Sequence, residues 1–471
     1  MTYALLYMGR YNLTVAKTSL GSLMSKEDFG DIFAVGTWVY GLSFLLNGPL
    51  TDRIGGRRAM LMSATGAGIV NLALGAFVQH ALGSQSALYW PTLCLYAVNM
   101  YFQSFAAVAI VKVNAHWFHV RERGGFSGIF GTMIASGIFL AFTVNGWILD
   151  FTRPTGGVDE TWWVFYAPGA CLLAMVIVES LLLRDTPGLA GHADFDTGDA
   201  VTAKEGEVLS GWQLTLRILT HPVLIVIALI EFCTGVLRQG VMNWFPIYAK
   251  EVWKLESAHP LRTGSWEHAG GVFGLVAALV IGVAMIWSGT RMQGRTRRLA
   301  ITLGTVVALF PFAFGGGWGG LLFVAGVIGG NLAGFCSDLF FQSRRGPSAA
   351  FFYALCAVCV GVMILTLTPD PEHWQALAVA VFLISISVIG THGLLSGTAS
   401  MDFGGRRAAA TATGVIDGFV YLGTGLQALV LGHLTTKDWK FWPLFLLPFA
   451  IIGFLLCLRI WNAKPRSGGG H

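Results

Sequence analysis

The chain has 471 residues, of which 54% are hydrophobic and only 12% charged, with a formal net charge of +5. A soluble protein of this length carries about twice that charged fraction, roughly 25%, so a water-soluble globular fold is excluded. Apolar runs of about 20 residues, each long enough for a ~30 Å hydrocarbon core, recur from end to end. The shorter alternating segments of a membrane β-barrel do not occur. The composition therefore predicts an all-α polytopic membrane protein.

In chain order, spanning helices are predicted near 2–24, 30–50, 57–79, 88–115, 125–149, 162–183, 220–247, 269–288, 299–316, 319–338, 348–368, 374–397, 408–433 and 441–461, fourteen in all. The first, YALLYMGRYNLTVAKTS, carries two fixed cations, Arg10 and Lys17, and begins almost at Met1, which leaves two readings, a start placed late or a short cytoplasmic leader missing ahead of it. It has charges inside its apolar run and no small-residue cleavage site, so it does not read as a cleaved signal. The helix near 30–50 ends in GPLTDRIGGRR, and alternate loops collect arginines: 52–58, 120–123, 291–298, 342–346, 404–408 and the tail at 458–466. The opposite loops (25–31, 154–161, 369–374) are neutral, acidic or mixed. Positive charge favours the cytoplasmic side, which with fourteen helices puts every basic loop and both termini in the cytoplasm of a cell (inner or plasma) membrane. Residues 184–219 form a polar linker, with a short interfacial helix expected at 211–219. It divides an N-terminal half, 1–183, from a C-terminal half, 220–471.

The halves repeat one another. Arg10 is followed by Gly48, Asp52, Arg53, Arg57 and Arg58; in the second half Arg238, in VLRQGVMNWFPIY, is followed by Gly334, Asp338, Arg344 and Arg345. Arg10 precedes Gly48 by 38 residues, whereas Arg238 precedes Gly334 by 96. The excess is the size of a helical hairpin, so the pattern predicts two six-helix halves plus an inserted two-helix hairpin at about 269–316. That hairpin has no acid within its apolar runs and reads as peripheral.

A charge near the bilayer centre costs at least about 2.5–3.5 kcal/mol on insertion scales, so it faces a cavity or a partner. Tyr3, Tyr7, Arg10 and Lys17 share one helix face, two cations with phenolic donors, which suits an anion. Arg238 enters from the pseudo-symmetric helix of the other half. A guanidinium is planar, bidentate and permanently charged, which fits phosphate or carboxylate oxygens. Glu231, two turns before Arg238, and Asp417 are intramembrane acids that either pair with a cation or carry a coupling proton. Lys112, at a helix end, either draws anions towards the site or contacts lipid headgroups. The clusters Asp52/Arg57/Arg58 and Asp338/Arg344/Arg345 are too peripheral for substrate and read as conformational contacts. The Cys356–Cys359 C-x-x-C lies inside a span and reads as packing. No metal spacing, P-loop, nucleophile–base arrangement or cofactor fingerprint is present, so neither enzyme chemistry nor a cofactor is expected.

The stretch Gly48–Arg58 resembles the loop signature of the major facilitator superfamily. HWFHVRERGG (116–125), LRDTPGLAG (183–191), LRQGVMNWFPIYAKEV (237–252) and RRAAATATGVIDGFVYLGTG (406–425) resemble, more narrowly, its organophosphate:phosphate antiporter family. The resemblance implies the major facilitator fold and exchange of a small organophosphate for inorganic phosphate by alternating access. It also implies a phosphate held between Arg10 and Arg238, with Tyr3, Tyr7 and Tyr421 alongside. Tyr11, Phe44 and Ile134 depart from the family's basic positions. A monomer binding a small anion within a lipid bilayer is expected, with no nucleic-acid partner. Two alternatives stay open: a proton-linked symporter of another organic anion, and a sugar-phosphate sensor.

Overall fold

The computed structural model describes residues 1–84, 87–118, 123–152, 160–194, 213, 215–216, 219–255, 259–267, 270–341, 344–367, 374–396 and 400–463, with backbone alone at 22, 123–130, 263, 294–295, 298, 338–339, 374 and 400–409. The N-terminal half is built from α1 (Thr2–Leu20), α2 (Lys26–Ile54), α3 (Gly56–Ser84), α4 (Tyr89–Trp117), α5 and α6 (Trp163–Leu182). Helix α5 runs over Arg123–Phe139 and passes through a π-helical turn, Leu140–Val144, into Asn145–Thr152. After the linker come α7 (Pro222–Met242, continued by Trp244–Glu251), α8 (Gly271–Thr290), α9 (Gly294–Gly315), α10 (Gly317–Phe340), α11 (Arg345–Thr366), α12 (Trp374–Leu394), α13 (Ser400–Lys437) and α14 (Phe441–Arg459). Twelve of these are long and apolar enough to cross a membrane; α1, with its internal charges, and the shorter apolar stretch Leu299–Gly315 of α9 bring the count to the predicted fourteen.

Several helices outrun their apolar stretches. Helix α2 starts at Lys26 because Ser25 accepts from the Asp28 amide (2.9 Å) while the Asp28 carboxylate accepts from the Ser25 amide (3.0 Å), a reciprocal cap that satisfies two orphan donors. Helix α13 reaches back to Ser400, eight residues before its predicted start. Hydropathy marks where the lipid ends, whereas backbone hydrogen bonds continue into the polar loops. The predicted interfacial helix at 211–219 lies mostly outside the described residues.

Packing repeats between the halves. In the first, α2 and α3 pack on α4, α3 packs on α6, and α1 on α5 and α6; in the second, α10 and α11 pack on α12, α11 packs on α14, and α7 on α13 and α14. The contacts between halves obey the same correspondence, α2 against α13 and α10 against α5. The α2–α13 seam is close along its whole length. A Cβ on Gly30 would lie 2.7 Å from the Ala428 carbonyl oxygen, one on Gly41 2.9 Å from that of Gly418, and one on Gly48 3.0 Å from that of Ala410. Such small-residue contacts let membrane helices approach backbone to backbone.

The pair α8–α9 stands outside this symmetry. Its helices cross where Gly282 and Gly304 face each other's carbonyls, and α9 leans on α10. The outward side is apolar and exposed, with Phe273 at 86%, a surface for lipid. The insertion begins and ends at one point: the Ser265 amide donates to the Phe314 carbonyl (3.0 Å). Gly264 (φ +84°) and Gly317 (φ +56°) meet there backbone to backbone, in left-handed conformations that glycine adopts without strain.

Candidate functional site

Arg10 lies midway along α1 and is wholly buried. Its position is set by a ladder of amides. Asn12 donates to Asn71 (2.8 Å), Asn71 to Asn99 (3.0 Å), and Asn99 to the Gly9 carbonyl (3.0 Å), tying α1 to α3 and α4. Gln103, donating to Asn99 (3.2 Å), turns its oxygen to Arg10 Nε (2.9 Å). The remaining guanidinium nitrogens donate to the phenol oxygens of Tyr421 and Tyr40, both at 2.8 Å. The Tyr40 and Tyr7 rings lie 4.4 and 4.7 Å from the guanidinium carbon. Arg10 is thus held by neutral oxygens and π faces, and no described carboxylate pairs with it. Tyr421 reaches it from the opposite half, so the cage closes across the interface. Tyr3 stacks edge-on against Tyr7 (5.3 Å between centroids), and Phe44 packs edge-on against Tyr40 (4.6 Å).

Arg238 sits on α7, only 4% exposed. Its helix is drawn to α1 by Gln239, which donates to the Tyr11 phenol oxygen (2.5 Å), and by Thr14, which donates to Asn243 (3.2 Å). Tyr7, Tyr11 and Tyr421 lie within electrostatic reach of both arginines. Unlike Arg10, Arg238 leaves Nε and Nη2 without a hydrogen bond. Leaving a buried donor unmade costs about 1–3 kcal/mol, more for a charged one.

The structure brings Arg10, Arg238, Tyr3, Tyr7 and Tyr421 together. Glu231 and Asp417 lie beside Arg238, but each has a partner of its own. The Glu231 carboxylate is 2.7 Å from His392 Nδ1 on α12, and Asp417 accepts from the Ser396 hydroxyl. Tyr40, Gln103, His392 and Ser396 escape the sequence reading. The signal for His392 was available, an ionisable side chain inside an apolar run.

Lys17 does not join the anion face. It lies seven residues beyond Arg10, about 10 Å of helix, where it donates to the Gly21 carbonyl (3.3 Å) and approaches Glu251 (4.0 Å). Glu251 also holds Lys26 (3.1 Å), which donates to the Thr435 carbonyl (2.8 Å) and lies over the Trp439 ring (4.7 Å). This carboxylate therefore ties α1, α2 and α7 together at the end opposite the linker. Glu251→Gln is expected to loosen that closure by about 1 kcal/mol, roughly a fivefold population change. The measurement is alkylation of a cysteine placed at Thr14, with the exposed Cys94 and Cys171 replaced by serine.

Lys112 is likewise committed, to Asp52 (2.9 Å), rather than turned to substrate or lipid. Asp52 also accepts from the amide (3.2 Å) and hydroxyl (2.9 Å) of Thr411 on α13, so it bridges the halves at the linker end. The Arg57 amide donates to Asp185 (2.6 Å) and its guanidinium to the Ser180 carbonyl (2.7 Å). Arg53 and Arg58 are both exposed, away from the buried Arg10 and Arg238. In the second motif Arg344 Nε donates to the Phe341 carbonyl (3.2 Å) and nothing described lies within 4 Å of a Cβ added at Gly334, while the Asp338 side chain is outside the described residues. With both ends tied and both arginines buried, the site is occluded.

A pseudo-twofold bundle with a buried, cation-bearing interface defines a membrane transporter fold. The Major Facilitator Superfamily sequence profile matches residues 1–342, and the chain belongs to that superfamily. It is 24% identical to the "Membrane sensor protein UhpC" of Escherichia coli, over 99% of this chain and 91% of that protein. It is 24% identical to the "Glycerol-3-phosphate transporter" of Bacillus subtilis, over 99% and 91%. It is 22% identical to the "Probable hexose phosphate transport protein" of Chlamydia pneumoniae, over 99% and 90%.

Proposed function

We propose that this protein is a secondary active transporter that exchanges a small organophosphate, of the glycerol-3-phosphate or sugar-phosphate class, for inorganic phosphate by alternating access. The observation that carries this is Arg238: a buried guanidinium with two unmade donors, sharing Tyr7, Tyr11 and Tyr421 as neighbours with a second arginine whose cage spans both halves. An anion between them takes up the free donors of Arg238 and draws the two halves onto itself. The seams α2–α13 and α5–α10 are the surfaces along which the halves would rock, and the Asp52 and Glu251 closures the contacts broken in turn. Both termini and the linker are assigned to the cytoplasm of the cell membrane from the arginine-rich loops. The site holds oxygen acceptors, cations and aromatic walls, a set suited to binding rather than covalent chemistry, and the protein is proposed to act as a monomer.

The test is reconstitution into phosphate-loaded liposomes. Uptake of labelled phosphate is expected to exceed that into empty liposomes at least tenfold. Folded protein that shows neither exchange nor a phosphate-dependent thermal shift overturns the proposal. Phosphate binding with no counterflow supports the sensor reading instead, which the name of the Escherichia coli relative supports.

A further inference from the structure

We propose that the Glu231–His392 pair takes up one proton when the anion binds beside Arg238, so that a proton accompanies the substrate. This rests on the anion site proposed above and adds a second bound species to it.

The argument begins from the pair itself. A carboxylate oxygen and an imidazole nitrogen 2.7 Å apart require a proton between them, because two lone pairs at that distance repel. With that single proton the pair carries one negative charge; with a second it is neutral. The second proton has two places to sit, the far imidazole nitrogen or Glu231 Oε1, which makes no hydrogen bond. Asp417 differs: its carboxylate accepts from a hydroxyl, Ser396, and shares no proton with an imidazole.

The groups around the pair fix the charge balance. On α7 itself stand Arg238 and Cys233, on α13 Asp417 and Tyr421, on α11 Tyr353, and on α14 Cys457. Across the interface α1 adds Arg10, Tyr7 and Tyr11. Tyrosines and cysteines are neutral near pH 7. With Asp417 ionised and one proton on the pair, the two arginines stand against two negative charges, and the sum is zero. A phosphate ester brings about −1.5 to −2 at pH 7. Unbalanced charge in a water-excluded site is strongly disfavoured. A proton on the pair removes one negative charge beside the anion and frees Arg238 from its counter-charge. The pseudo-symmetric partner of His392's helix, α4, offers Arg10 a neutral glutamine, Gln103, whereas α7 and α12 offer Arg238 a pair that can change its charge.

Titration calorimetry of the purified protein with inorganic phosphate, at one pH in two buffers of different ionisation enthalpy, counts the protons taken up. About one proton per phosphate is expected for the wild type, falling below about 0.2 in Glu231→Gln and in His392→Gln. Phosphate binding without buffer-dependent heat overturns the proposal and leaves the anion site standing. Uptake that is unchanged in both variants also overturns it, since the proton would then ride on phosphate. Absence of phosphate binding in the wild type overturns both.

Discussion

Arg10→Lys is expected to abolish phosphate exchange and to destabilise the protein, whereas Arg238→Lys is expected to abolish exchange alone. The difference follows from what each guanidinium does in the occluded state. Arg10 directs three nitrogens at three oxygens, on α2, α4 and α13. An ammonium is a single point of charge on a flexible stem and cannot replace a planar fork. The substitution leaves at least two of Tyr40, Tyr421 and Gln103 without their donor. At about 1.5–3 kcal/mol for each hydrogen bond to a charged group, the loss is roughly 3 kcal/mol or more. Arg238 leaves two nitrogens unmatched, so lysine there removes no contact made by Nε or Nη2 and stability should change by less than about 1 kcal/mol. Its exchange rate should still fall at least a hundredfold, about 2.8 kcal/mol. Thermal unfolding in detergent, set beside liposome exchange, separates the two effects. Equal destabilisation by both variants would refute the distinction drawn between the arginines.

Gly235→Ala is expected to prevent folding. Gly235 faces the Val420 carbonyl, and an added Cβ would lie well inside the contact radius of that oxygen. The obstacle is backbone, so no side chain can turn aside; α7 and α13 would have to separate. That separation would pull Arg238 and Tyr421 from their places and open the α7–α13 core. Gly393, where nothing lies within 4 Å of an added Cβ, provides the control, since alanine there should be tolerated. Yield of monodisperse protein after extraction measures both.

The sequence made the architecture legible because each level agreed: apolar runs counted the helices, arginines alternated by loop, and the Arg–Gly–Asp spacing exposed both the repeat and its interruption. It also marked Arg10 and Arg238, since a fixed cation in an apolar run has few explanations. Of the three oxygens that hold Arg10, only Tyr421, 411 residues away, was marked beforehand, through the family resemblance. Tyr40 and Gln103, 30 and 93 residues away, were not legible, because tyrosine and glutamine occur in membrane helices for many reasons. Only the packing of α2, α4 and α13 brings them to one point. Lys17 shows the converse. Helical spacing set it on the face of Arg10, but a shared face says nothing of depth, and a turn-by-turn climb of 10 Å carried it out of the site to a different carboxylate.

The α8–α9 hairpin leaves the bundle and returns to it at a single backbone crossing, Gly264 against Gly317. Such a segment is a cassette. Two helices cross the membrane and come back, so everything downstream keeps its sidedness; the insertion meets the α5–α10 seam at its exit, where Phe312 packs on Phe139 (6.0 Å) and Thr143 donates to the Gly316 carbonyl (2.6 Å), and the α2–α13 seam lies on other helices. A bundle of twelve could gain or shed this piece in one step, and its lipid-facing side is free to diverge while the transport path stays as it is.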